Sequence, residues 1–297
     1  MMLLDEASVP TVMPELREKL KDFVENGYWY HTIDVADGLR TRGIYDHRPH
    51  IGKYGFPEIL RGMSVLDVGT SDGFFAFELE RRGASSVVAA DTDDYDGTVG
   101  HTDISPSKYA DYVTKYSKNE FANARFKEIA DAFGLPVVNR RLIAASLLKS
   151  SVDFRRQSVY DLGQDGRMYD LVFCGDLIEH LKHPLGAIEK LRTVTGKLCI
   201  ITLSSALPAG RSAKWLRRSL RRALRATRLE GYLTESSDAL LYRGNAAGAS
   251  FFHIHPRAFM QALYASGFQD VEIFSEFDLV HRKTGALNHH VTFHCHV

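Results

Sequence analysis

The sequence predicts an α/β fold built on a parallel sheet, and three observations carry that prediction. Apolar runs of strand length alternate with segments whose apolar residues recur at helical spacing. The stretch from Met63 to Asp91 reads strand, glycine turn, helix, strand, a βαβ unit that implies a right-handed crossover between parallel strands. The length of 297 residues suits one large α/β domain with added segments better than two independent units. On this reading residues 1–61 form an N-terminal helix and lid segment. Residues 62–297 form the sheet domain, with insertions at about 95–150 and 205–250.

Taken in order, a helix is expected from Pro14, where Leu16, Leu20, Phe23 and Val24 share a face. Tyr28-Trp29-Tyr30-His31 follows, then a turn-rich stretch to Gly62. Met63 to Gly69 is an apolar run ending in small residues, Phe74 to Arg82 a helix stopped by Gly83, and Ser86 to Asp91 a short strand tipped by its acid. Helices are expected at Phe121 to Phe133 and Arg140 to Lys149. Strands resume at Val152 to Phe154, Tyr169 to Cys174 and Gly196 to Leu203, with a helix at Pro184 to Val194 between the last two. A helix at Pro256 to Ser266, closed by Gly267, precedes two final strands, Val271 to Phe274 and Val291 to Val297.

Lys plus Arg and Asp plus Glu each number 37, so the net charge is zero, which argues against a chain that coats nucleic acid over its whole surface. Cys174, Cys199 and Cys295 cannot all pair and show no CxxC spacing, so a disulfide scaffold is excluded and a reducing compartment is expected. The first residues lack a basic start and an apolar run, and no apolar stretch approaches the roughly 20 residues that span a bilayer. A cytoplasmic protein with no transmembrane segment is the expectation.

The most informative stretch is Leu66-Asp67-Val68-Gly69-Thr70-Ser71-Asp72-Gly73. Glycines at a strand tip let the backbone turn sharply and approach a ligand closely. A dinucleotide fingerprint would require Gly-x-Gly-x-x-Gly, whereas here Ser71 and Phe74 stand at the second and third glycine positions. Asp67 is also foreign to that fingerprint. A carboxylate suits a ligand with an amino group better than one with a pyrophosphate.

These residues resemble motif I of the class I S-adenosylmethionine-dependent methyltransferases, with Asp67, Gly69 and Gly73 matching and Ser71 replacing the middle glycine. Asp91 at the end of the next strand, Ser158-Val-Tyr160-Asp161-Leu162, and Asp170 through Pro184 resemble the later motifs. A Rossmann-like seven-stranded sheet is implied, strands one to five parallel and a final strand antiparallel, with helical insertions forming a lid. The resemblance makes S-adenosyl-L-methionine the cofactor. Asp67 would anchor its methionine end, Asp91 its ribose and Asp161 its adenine; Gly69, Thr70, Ser71, Gly73, Thr92, Tyr160, Cys174 and Gly175 would complete that site. Trp29-Tyr30-His31-Thr32-Ile33-Asp34, with Asp37, Gly38 and Gly43, is similar to the signature of the tRNA wobble-uridine (carboxy)methyltransferase-like group. That group's long N-terminal extension is largely missing here.

Methyl transfer is an in-line displacement, so positioning comes first and a base is needed only if the nucleophile carries a proton. Candidates for acceptor chemistry follow the fourth strand: Asp176, Glu179, His180 and His183, with His180 the expected general base. His253 and His255 alternate and share a side if extended. Trp29, Tyr30 and His31, with Glu179 and His183, are expected to meet the acceptor. His289, His290, His294 and His296 are read as surface residues of a last edge strand with no carboxylate nearby, and not as a metal cluster. The favoured reading has no metal; Asp93, Asp94, Asp176 and Glu179 are the carboxylates that would take Mg²⁺ if one bound.

Between Arg211 and Arg228 eight bases and no acid surround an apolar stripe, a cationic amphipathic helix over the expected acceptor cleft. O-methylation of a hydroxyl on a small polar, carbohydrate or glycolipid acceptor is what the methyltransferase resemblance implies, since relatives with this shorter layout methylate small molecules, including sugars and glycolipids. A tRNA base-modifying methyltransferase is the second choice, and a non-catalytic cofactor-binding module docking through the basic helix the third.

Overall fold

The computed structural model describes residues 14–27, 29–36, 38–92, 127–134, 139–205, 240–242 and 251–297. Asp93, Asp94, the Arg211 to Arg228 segment and most of both expected insertions lie outside the described residues, as does the lid reading that rests on them.

In chain order the elements are α1 (Pro14–Asn26), β1 (Asp34–Ala36), β2 (Leu39–Arg40), β3 (Ser64–Val68), α2 (Phe74–Arg81), β4 (Ser86–Asp91), α3 (Lys127–Ala132), α4 (Arg140–Leu148), β5 (Asp153–Arg156), β6 (Tyr169–Gly175), α5 (Pro184–Val194), β7 (Thr195–Ser205), β8 (Leu240–Tyr242), β9 (Phe252–Ile254), α6 (Pro256–Ala265), β10 (Asp270–Val280) and β11 (Leu287–His296). Seven strands make one mixed sheet in the order β10-β11-β7-β6-β3-β4-β5. The fold is the α/β one that the βαβ reading implies.

The chain divides into two compact units, the first of Met1–Pro49, Pro57–Ser158 and His281–Gly285. In it β3, β4 and β5 pair in parallel, Leu66 opposite Val88 and Ala89 opposite Phe154. Helix α2 buries Phe74, Phe75, Phe77 and Leu79, and Phe77 meets Phe154 edge-on at 5.8 Å. That apolar face, and not helix propensity alone, holds an eight-residue helix in place.

The second unit comprises His50–Phe56, Val159–Val280 and Ala286–Val297. Here β6 and β7 are parallel, β11 is antiparallel to β7, and β10 is antiparallel to β11. Proline at its first turn starts α5, which buries Ala187, Ile188, Leu191 and Val194. Phe259 of α6, fully buried, packs on Phe293 of β11 at 5.0 Å between ring centroids. Two sequence expectations change in this unit. The closing strands are longer than expected, and β11 is an interior strand with β10 at the edge.

Candidate active site

The β3–α2 turn is built by its own chemistry. Gly69 adopts φ +78° and its N–H donates to Ala90 O at 2.8 Å, which ties the turn to β4. Ser71 sits at φ +51° and donates its N–H to Asp91 Oδ2 at 2.9 Å. Gly73 is at φ +89°, and a Cβ there would come within 2.9 Å of the Phe77 ring, so conformation and packing both demand glycine.

Two buried carboxylates brace this turn from within. Asp67, 1% exposed, accepts from the Thr70 hydroxyl at 2.6 Å and from the Ala76 N–H, so its bonds go to the loop itself. Burial pushes its carboxyl up to about 7; the Thr70 bond works against the rise and the Asp91 charge adds to it. Asp72, fully buried, accepts from the backbone N–H groups of Tyr30 and of His31, the latter at 3.0 Å. Arg140 Nε of α4 lies 3.8 Å from its other oxygen. Burial raises the Asp72 carboxyl, and Arg140 and the two amides oppose that.

The N-terminal signature therefore meets the turn through backbone. Trp29 is 1% exposed and donates its indole N–H to Phe23 O, which makes it a packing residue rather than the expected acceptor contact. His31 is buried against His47, Phe74 and Phe75 at ring separations of 5.1, 5.7 and 5.7 Å. Tyr30 remains half-buried, edge-on to Tyr45.

In the second unit β6 ends in Cys174, buried, and Gly175, where a Cβ would strike the Phe173 ring. Asp176 follows at φ +48°, its N–H donating to Thr202 O at 3.1 Å. Its Oδ2 lies 3.1 Å from His290 Nε2 of β11. Glu179, 1% exposed, accepts from Ser204 N–H at 2.8 Å while its own carbonyl accepts from Phe251 N–H. Burial, helped by the Asp176 charge, raises the Glu179 carboxyl well above the usual range. Buried Tyr54 also feels Asp176, and its phenol is raised for the same two causes.

The expected surface reading of the terminal histidines is corrected here. His290 and His294 are 3% and 7% exposed, because β11 is interior and residues 50–56 meet it: His294 Nε2 lies 3.0 Å from Tyr54 O. Carboxylates do stand nearby, Asp176 beside His290 and Asp278 2.9 Å from His289 Nδ1. Among the described residues no group of three or more His, Cys, Asp or Glu could hold a metal ion.

The other expected site residues differ in exposure and partners. His180 ends a short turn, Ile178–His180, half-buried. His183 is exposed; its N–H donates to the Tyr160 hydroxyl at 3.3 Å. Asp161 is exposed and accepts from Gln164 at 3.2 Å. His253 lies in β9 opposite Leu241, whereas His255 caps α6, a ring nitrogen accepting the Arg257 N–H. The backbone stays extended through His255, with Ile254 buried between the two half-buried histidines, and the helix begins at Pro256. Asp72, Tyr54 and His290 were missed, and only Asp72, inside the glycine turn, had a local signal.

Residues 49–273, well over half of the chain, match the family model described as a methyltransferase domain. The chain belongs to that methyltransferase family. A search of curated proteins returned no significant match. Among solved structures, the N-terminal domain of EvdMO1 with SAH bound is similar at TM-score 0.50 and 14% identity, over 96% of this chain and 98% of that one. The same domain in the presence of SAH and D-fucose gives 0.49 and 15% over the same shares. Magnesium protoporphyrin IX methyltransferase (ChlM) from Synechocystis PCC 6803, with bound SAH, gives 0.40 and 14% over 80% of this chain and 75% of that one. At 14% identity the likeness to the first of these is one of fold. In this methyltransferase no helix among the described residues is long and apolar enough to cross a membrane.

Proposed function

We propose that this methyltransferase transfers a methyl group from S-adenosylmethionine to a hydroxyl of a small polar acceptor, a carbohydrate or glycolipid intermediate in the first instance. The observation that carries the cofactor half of the reading is the β3–α2 turn. Of its three acids, Asp67 and Asp72 spend their bonds on the loop and on the Tyr30 and His31 amides, so it is the Asp91 carboxylate that disfavours a pyrophosphate and suits hydroxyls. Asp91, half-buried at the tip of β4 and oriented by Ser71 N–H, is suited to ribose hydroxyls. Asp67 and Asp72 hold the turn in shape. The SAH bound in the EvdMO1 domain, which shares the fold, supports the same cofactor here.

When bound, S-adenosylmethionine supplies a methyl carbon activated by its sulfonium. A hydroxyl nucleophile must then lose a proton, and the group suited to take it is Asp176, whose side chain is 15% exposed. The three free, buried thiols support a reducing compartment, the cytoplasm.

Calorimetry with S-adenosylmethionine and S-adenosylhomocysteine tests the cofactor; both should bind, and Asp91→Ala should weaken binding about 10- to 100-fold through the lost charged hydrogen bonds. Binding of neither ligand refutes the reading. Methyl-labelled S-adenosylmethionine with methyl glycosides and phenols tests the acceptor. Label appearing only in tRNA would refute the hydroxyl assignment.

A further inference from the structure

His290 carries information that its place in the sequence conceals. Its Nδ1 lies 2.8 Å from Asn288 O, a carbonyl that can only accept, so Nδ1 holds a proton. Its Nε2 lies 3.1 Å from Asp176 Oδ2, and a second proton must sit in that contact for it to bond. Both ring nitrogens are thus engaged in a side chain 3% exposed, which excludes His290 as a direct contact for a substrate. The Phe277 ring of β10 stacks on the imidazole at 5.3 Å, a surface that favours a cation.

Among the described residues, the groups around this pair come from residues 50–56, β10, β11 and the segment that follows β6. Among these, Tyr54 and Glu179 face Asp176, Glu179 also feels His290, and Asn288 O and Phe277 flank His290. Glu179 Oε1 is held by Ser204 N–H, while its buried Oε2 has no hydrogen-bond partner among the described residues.

We propose that His290 is a positioning residue for Asp176, fixing that carboxylate in one orientation so that it accepts the proton of the acceptor hydroxyl. The proposal rests on the O-methylation reading above. As the hydroxyl oxygen bonds to the methyl carbon, the carbon–sulfur bond breaks with its electron pair passing to sulfur. The hydroxyl proton passes to Asp176 Oδ2, the oxygen that His290 holds, since Oδ1 is buried, and is later released to water. Burial works to lower the His290 imidazole, but the charge and hydrogen bond of Asp176 outweigh it and leave it raised above 6.5. Glu179, raised by its own burial, keeps its proton and spares the pair a second negative charge.

Two measurements on the full chain decide the matter. In carbon-13 spectra of histidine-labelled protein, the signal lost in His290→Gln should titrate above 6.5 in the wild type and at least one pH unit lower in Asp176→Asn. In the second, kcat/KM is followed against pH with methyl-labelled S-adenosylmethionine and the best methyl glycoside. His290→Gln keeps an amide donor but loses the charge, so the acid limb should move up by about 1–2 pH units. KM for S-adenosylmethionine should stay within about twofold, since a positioning role in proton transfer leaves cofactor binding alone. A labelled ether with an unshifted limb in the folded variant overturns this proposal alone. No labelled ether from any hydroxyl acceptor overturns the proposed function and this proposal together. If His290→Gln fails to fold, the signal lost in His290→Asn identifies the residue. Wild-type titration at or below 6.5 overturns the ion pair.

Discussion

Asp67→Asn is expected to remove the pH dependence that one buried carboxyl imposes on stability. Asp67 is 1% exposed and its carboxyl is pushed from 3.8 up to about 7. Below 3.8 both folded and unfolded chains hold the proton, and the stability is complete. From there to about 7 the unfolded chain releases a proton that the folded chain retains, so stability falls by about 1.4 kcal/mol per pH unit. Above about 7 the loss levels off at about 4 kcal/mol. Asparagine cannot ionise and escapes this loss. Its amide, however, adds donors where the Thr70 hydroxyl and Ala76 N–H already donate, a mismatch that costs about 1–3 kcal/mol. The variant should therefore be less stable than wild type near pH 4 and equal or more stable by pH 8. Urea unfolding followed by circular dichroism across that range measures the difference, in which the slopes from Asp72 and Glu179 cancel. A difference that stays constant within about 1 kcal/mol would refute the reasoning.

Three other outcomes are expected. Gly73→Ala should cost about 2–4 kcal/mol from its left-handed backbone and the clash with Phe77, and should abolish S-adenosylmethionine binding; a thermal midpoint equal to wild type would contradict it. Ser71→Gly relieves a residue at φ +51° but loosens the unfolded chain, so stability should stay within about 1 kcal/mol and cofactor affinity within about twofold. Cys174, Cys199 and Cys295 are buried, with burial pushing the Cys199 thiol up to about 12 and Cys295 higher still. A thiol-reactive disulfide should label none of them before unfolding, and a rapid native burst would contradict that.

What the sequence made legible was local. The strand Ser86–Asp91 and the helix Pro184–Val194 match their expected bounds because each carries its own stop or start, an acid at a strand tip and a proline at a first turn. The glycine turn was legible for the same reason: Gly69, Ser71 and Gly73 are neighbours whose backbone needs can be read together. Asp72 could be seen only in part, since its partners are main-chain amides of Tyr30 and His31, which no side-chain pattern reveals. The pairing of His290 could not be seen, and its alternation read as a surface position. Its partner Asp176 lies on another strand's tip, and that pairing exists only once β7 and β11 are in register.

The histidine face of β11 shows how a regular pattern misleads. His290, Thr292 and His294 alternate with Val291, Phe293 and Cys295, which by period two reads as a solvent face against a core face. Both faces are buried, because residues 50–56 bring Tyr54 against the polar one. Each histidine then takes its charge from its partner. His294 meets a neutral carbonyl, and burial lowers its imidazole despite that bond. His290 meets a carboxylate, and there the partner prevails over burial. Two histidines four positions apart on one strand thus favour opposite charge states, the neutral one serving packing and the cationic one facing the acid proposed for proton transfer. Replacing the carbonyl by the carboxylate is the only chemical difference needed to separate a structural histidine from a positioning one.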